Sequence, residues 1–408
     1  MNNKRYIINM LVLVISTTIS IFAFAICFPM EVLASDEIME NEVTENEIID
    51  EQAEMDEVKS VEDHLKKYSN GGIKEIIPDY NPENIIKDVA KGKFEFNLPG
   101  IINRILMILF KEIYLNINIL IKLIVLVILC AVLKNLQTSF LNKSVGELAF
   151  YICYIVLVSI LLVSFNTAIK AGIEIIDAMV NFMYASIPVL ITLLISSGNF
   201  TSGGVLQPLL ITIVQVSATI IKNIFIPLII LSTIISVVDN ISEKIQISRL
   251  GGFLKHITSW SLGLILTLFV AIVSLQGSLG AVVDGVTGKT AKFAIGAFIP
   301  IAGKYLADAA DAVIGCTLLI KNAVGVAIMI GIIGICLMPV IKMLAIIVLY
   351  RMTCVLLEPV AEGRIIKCIS EVANSMTFVM GIVASVAFMF LITVTALITA
   401  SNLSAMMR

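Results

Sequence analysis

From Leu115 onward the chain is a succession of apolar runs parted by short polar breaks. A helix crosses a bilayer with roughly 20 apolar residues. The runs that approach this are Leu115–Leu133, Ala149–Ile169, Met179–Ser196, Val205–Ile221, Phe225–Val238, Ser259–Leu275, Ala323–Met338, Ile341–Leu357 and Val372–Ala400. They predict an all-α, polytopic helical membrane protein with about seven to nine transmembrane helices. Val205–Val238 reads either as one tilted helix or as a hairpin turning at Lys222-Asn223. Leu98–Tyr114 and Ile241–Trp260 are amphipathic and predict helices lying along the interface, against lipid headgroups.

A different pattern precedes these runs. Met1-Asn2-Asn3-Lys4-Arg5 is a short basic start, Tyr6–Phe28 is apolar, and Val32-Leu33-Ala34 offers a peptidase site. This predicts a signal peptide over residues 1–34, cleaved after Ala34, with an uncleaved anchor as the alternative reading. Residues 35–97 then form an acidic extracytoplasmic segment, and residues 98–408 the multi-pass domain. Asp36–Asp63 holds 13 acidic residues against Lys59 alone, so self-repulsion keeps it extended. Further on, Val61–Tyr68 suits a helix, and Asn81-Pro82 with Gly92 marks the start and end of another. So short a segment cannot build its own core and must dock on the membrane body or on a partner. With this segment outside, Lys134 and Lys143 fall on the cytoplasmic side. With Val205–Val238 as a hairpin, Lys244, Arg249 and Lys255 join them.

Composition narrows the classes. Of 408 residues, 58% are hydrophobic and 14% charged, and mean hydropathy is +1.00. A soluble domain cannot hide that much apolar surface, so soluble enzymes and nucleic-acid-binding domains are excluded. The net charge of -3 conceals an acidic Asp36–Gly100 (18 acidic, 7 basic) ahead of a basic body (12 acidic, 19 basic). Seven cysteines, Cys27, Cys130, Cys153, Cys316, Cys336, Cys354 and Cys368, form no CxxC pair, and His64 and His256 are the two histidines. Neither a disulfide framework nor a metal site is expected, and no cofactor.

Gly277–Val324 is too polar for lipid and too apolar for a free loop, and Pro300 interrupts it. Broken or re-entrant helices lining a polar passage fit that composition. Its charges Asp284, Lys304, Asp308, Asp311 and Lys321 are the candidate residues for such a passage or for ion coupling; Lys304, Asp308 and Asp311 share one helix face. A loop helix with a solvated face explains the same three residues. Ala323, Ala327, Gly331 and Gly334 form a small-residue stripe that suits close helix packing. Pro188 and Pro227, like Pro300 and Pro339, are 39 residues apart, but the Lys-Asn pairs at 222 and 321 keep a different register, so no duplication is inferred. Gly285–Thr290 superficially resembles a phosphate loop, yet Val283 stands where its first glycine belongs. No catalytic signature emerges, and an enzyme is not expected.

Several separated motifs occur together in order. They are Leu129–Gln137, Ile187-Pro188-Val189-Leu190 with Ser196-Ser197-Gly198, Asp284-Gly285-Val286 with Ala291–Ala294, Ile299-Pro300 with Gly303-Lys304, Asp308–Asp311, and Ile320–Gly325. On these, residues from about Gly100 to Asn402 resemble the stage III sporulation protein AE family of endospore-forming Firmicutes. The resemblance implies a mother-cell membrane protein facing the engulfed forespore. Its partners would be the other stage III sporulation A membrane proteins and a forespore membrane partner of the stage III sporulation protein Q type. Together they would form a secretion-like channel complex that sustains late forespore gene expression, with energy from a partner ATPase. The resemblance supplies no catalytic residues. The competing reading is a stand-alone secondary transporter that uses the same Asp and Lys residues to couple ions to a small solute.

Overall fold

The fold was analysed in a computed structural model, which describes residues 54–69, 73–78, 80–94, 98–139, 143–240, 247–298 and 303–406. The leader, most of the acidic run, Lys244 and Pro300 lie outside these residues. Every regular element among them is helical.

Three short helices come first: α1 (Asp56–Ser69), α2 (Ile73–Ile76) and α3 (Pro82–Ala90). The Oδ1 of Asn81 accepts the amide of Glu83 at 3.2 Å, Pro82 occupies the first turn, and Gly92 follows the end at φ +65°. All three features were legible as capping signals. Then come α4 (Leu98–Leu115), α5 (Ile117–Ser139), α6 (Lys143–Ser196) and α7 (Phe200–Ile220). A π turn, Ile221–Phe225, joins α7 to α8 (Ile226–Asp239), and α9 (Ser248–Phe298), α10 (Gly303–Leu357) and α11 (Gly363–Met406) complete the chain.

Among the described residues six helices are long and apolar enough to cross a membrane, and several absorb two predicted runs each. Ala149–Ile169 and Met179–Ser196 both lie on α6, which continues through Pro188. Proline there removes one backbone bond and costs about 3 kcal/mol. Ile187, Leu190 and Ile191 beside it are all buried, and that packing holds the helix. Ala323–Met338 and Ile341–Leu357 likewise share α10 through Pro339. No short re-entrant helix interrupts the described part of Gly277–Val324: its first part extends α9 and its last part opens α10.

Val205–Val238 is one continuous path, not a hairpin, so the placement of Arg249 and Lys255 that relied on the hairpin loses its support. The π turn has a local cause. Pro227 has no N–H to reach the Asn223 carbonyl four residues back, and the amide of Ile226 instead reaches the carbonyl of Ile221, five residues back.

The centre of the molecule is α11, against which α6, α9 and α10 pack. Helices α1 to α3 do not stand apart. Val61, Leu65, Ile73 and Ile86 are buried in the same apolar core as α6, α10 and α11.

Candidate functional site

Two fully buried charges of this bundle meet backbone rather than opposite charge. Asp284, on α9, is 2% exposed. Its two carboxylate oxygens each accept one amide, from Thr201 and Ser202, at 2.8 Å. These are amides of the first turn of α7, which have no acceptor within their own helix. Asn199 precedes that turn and gives it no side-chain cap. Asp284 therefore caps α7 from another helix, and its negative charge sits at the positive end of the helix dipole. One turn earlier on α9, Gly280 makes the approach possible. A Cβ there would stand 2.5 Å from the Oγ of Ser202.

Lys321, on α10, is 1% exposed, and its ammonium donates to the carbonyls of Leu397 and Ile398 on α11, both at 3.2 Å. Among the described residues no carboxylate pairs with it. Next to it, the Nδ2 of Asn322 donates to Oδ1 of Asn402 at 3.1 Å, and the hydroxyl of Ser401 donates to the Ile398 carbonyl. The Oδ1 of Asn322 and the hydroxyl of Ser404 are buried with no hydrogen-bond partner among the described residues. Gly325, a turn further, lets Ile398 come close: a Cβ would lie 2.6 Å from its Cδ1. Lysine, asparagine and glycine thus form one polar seam between α10 and α11.

The remaining predicted residues lie elsewhere. Asp311 pairs with Lys292 of α9, while Asp308, on the same helix, is exposed. Lys304 begins α10, and its side chain lies outside the description. Asp284, Asp311 and Lys321 each answer to a different partner: helix amides, a lysine and helix carbonyls. Gly285–Thr290 is an unbroken stretch of α9 and forms no phosphate-binding loop.

The small-residue stripe makes closer contacts than expected, and with an unexpected partner. A Cβ on Gly331 would meet Leu65 of α1 at 2.5 Å and Phe182 of α6 at 3.0 Å. On Gly334 it would meet Ile73 of α2 at 1.9 Å. Ala323 and Ala327 are fully buried on the same helix. The stripe receives the N-terminal helices as well as a long one.

Two ion pairs were not singled out from the sequence. Lys222, in the π turn, donates to both carboxylate oxygens of Asp177 on α6 at 2.7 Å, and Lys255 of α9 meets Glu371 of α11 at 2.7 Å. Their one signal was the rarity of charge in these runs. The partners are 45 and 116 residues apart, a separation no local pattern reports. Among the described residues no group of three His, Cys, Asp or Glu could hold a metal ion.

No solved structure matches this chain. Residues 80–401 match the family model described as stage III sporulation protein AE. Stage III sporulation protein AE of Bacillus subtilis (strain 168) is 38% identical over 300 residues, covering 74% of this chain and 75% of that protein. The family match over residues 80–401 takes in Asp284, Lys321 and the small-residue stripe, and the chain belongs to the stage III sporulation protein AE family.

Proposed function

We propose that the chain is a sporulation-specific membrane component of the secretion-like complex linking mother cell and forespore, needed for late forespore development. The family match over residues 80–401 carries the reading, and the tall helical bundle supports it. In this role it sits in the mother-cell membrane around the forespore with α1 to α3 in the intermembrane space. It works with the other stage III sporulation A proteins and a forespore membrane partner. Its contribution is a path or an assembly platform, moved by conformational change and without catalysis. A clean deletion in the native host tests this. Arrest after engulfment, with collapsed forespores and weak late forespore transcription, is expected; normal spores would sink the reading.

One observation favours a second reading, the secondary transporter. Lys321 is a buried ammonium with no carboxylate against it among the described residues, an arrangement found where charge must change during a cycle. Asp308→Asn with Asp311→Asn separates the two. A platform assembles and supports sporulation normally with both changes, whereas a transport defect with intact assembly favours the passage.

A further inference from the structure

The bundle is taller than a bilayer. At ~1.5 Å per residue, the 54 residues of α6 extend about 80 Å, against a hydrocarbon core of about 30 Å. Much of the bundle must therefore lie outside hydrocarbon, and the contacts identify which part. Helix α5 provides a ruler. Its 19-residue apolar stretch, Ile117–Asn135, covers about 28 Å, one hydrocarbon thickness. A charged pair marks each end: Glu112 with Lys342 beside its start, and Lys134 with Glu362 at its finish.

Between those levels the perimeter is mostly apolar; Lys122, about 7 Å inside the start of the α5 stretch, and His256 on α9 are exposed polar exceptions there. Val125 on α5, Ile155 on α6, Leu231 on α8, Phe253 on α9 and Met352 on α10 are all exposed. On α6 the level ends where Lys170, Glu174 and the Asp177–Lys222 pair appear. Past it the perimeter changes. Gly331 and Gly334, about 16 Å beyond Lys342 at their farther end, carry α1 and α2. The outward side of those two helices exposes Lys59, Asp63, Lys66, Lys67, Lys74 and Glu75. A bilayer at that height would press six charges into acyl chains, where ionisable side chains are costly and rare.

We infer that lipid surrounds only the half of the bundle bounded by Lys342–Glu112 and Lys134–Glu362, and that the other half stands outside the bilayer on the side of α1 to α3. Lys321 lies in that outer half, about 15 Å beyond Gly331 along α10. Asp284 lies there too, at the end of α7 farthest from Lys222. Their burial is then the work of protein contacts, with no acyl chain nearby.

The flank of α9 decides the matter, because Leu275 and Leu279 are exposed on it in the outer half. The chain has a single tryptophan, Trp260, which is 67% exposed on α9 in the inner half. Full-length protein is reconstituted in vesicles of phosphatidylcholine with brominated acyl chains, as wild type and as a Trp260→Phe, Leu279→Trp variant. The wild type is expected to lose most of its tryptophan emission relative to unbrominated vesicles, and the variant to keep it. Equal quenching of both, or an unquenched Trp260, would overturn the assignment. A second readout avoids the apolar flank. Asn181→Cys, at the exposed position beside Phe182 on α6, should react with a water-soluble maleimide in membranes opened to both faces, and Val163→Cys should react only after detergent. Protection of Asn181→Cys until detergent is added would equally overturn it.

Discussion

Asp284 and Lys321 bring opposite charges into one bundle and meet opposite ends of the peptide group. Asp284 accepts amides that α7 cannot satisfy itself, so removing the carboxylate leaves two donors without acceptors. Asp284→Ala is expected to cost about 1–2 kcal/mol, seen as a lower unfolding temperature in detergent, with Asp284→Asn in between. Lys321 differs, because a carbonyl deep in a helix already has its own amide partner and the ammonium adds a second bond. An aliphatic replacement of similar length ends the burial of a charge and strands nothing. Lys321→Met should therefore accumulate and unfold like wild type; if spore yield then falls, the lysine acts in the working cycle. Both residues were visible in the sequence as rare charges among apolar neighbours. Their partners were not, because contacts 83 and 76 residues away are set by tertiary packing.

At the scale of elements, the docking of α1 and α2 turns on two missing side chains. Gly334→Ala places a Cβ into Ile73 and should loosen α2 by about 1–3 kcal/mol, exposing the N-terminal segment to protease. Pairing it with Ile73→Ala should restore protection, and a failure to do so would place the clash elsewhere. Docking also titrates. Burial lifts the Glu62 carboxyl above its ordinary value of 4.5, with Lys66 pulling the other way. A raised folded-state value means that the docked form favours the proton. Glu62 therefore supports docking fully below 4.5 and loses that support as pH rises through the raised value. Exchange of α1 amides at neutral pH should slow in Glu62→Gln. Glu83 has the opposite sign: its hydrogen bond from Lys87 holds the carboxyl low, so its contribution is present above 4.5 and lost on acidification. The caps of α3 and the need of this segment for a larger surface were readable from Asn81, Pro82, Gly92 and shortness alone. The surface itself was not, because a small-residue stripe on α10 suits any close neighbour.

For the whole molecule, apolar runs predicted where long helices run and predicted their joints poorly. Lys170-Ala171-Gly172-Ile173-Glu174 looks like a loop between two spans, yet nothing in it breaks a helix, and Gly172 fits against Val379 of α11. Polarity marked where helices leave an apolar layer and said little about where they end. This distinction can be measured. Ala171→Pro would be harmless in a loop, but in a continuous α6 it should cost about 3 kcal/mol and lower the unfolding temperature. The same continuity explains why helix number was hard to count. Two runs that share one straight helix return the chain to the opposite end of the bundle, whereas two separate spans return it to the same side.

The π turn at Ile221–Phe225 has an inheritable consequence. It holds one residue more than a regular helical path between the same end points requires. Losing one residue there would make the helix regular between the same end points, whereas losing one from the regular helix on either side would swing everything after it by about 100° around the axis. In the second case Lys222 and Asp177 on one side, and Ser232 with its bond to the Gly251 carbonyl on the other, could not both stay in register. Between Phe200 and Asp239 a single-residue gap is thus expected to be accepted at Asn223–Phe225 and refused in the regular helix on either side, with conservative apolar exchanges accepted throughout.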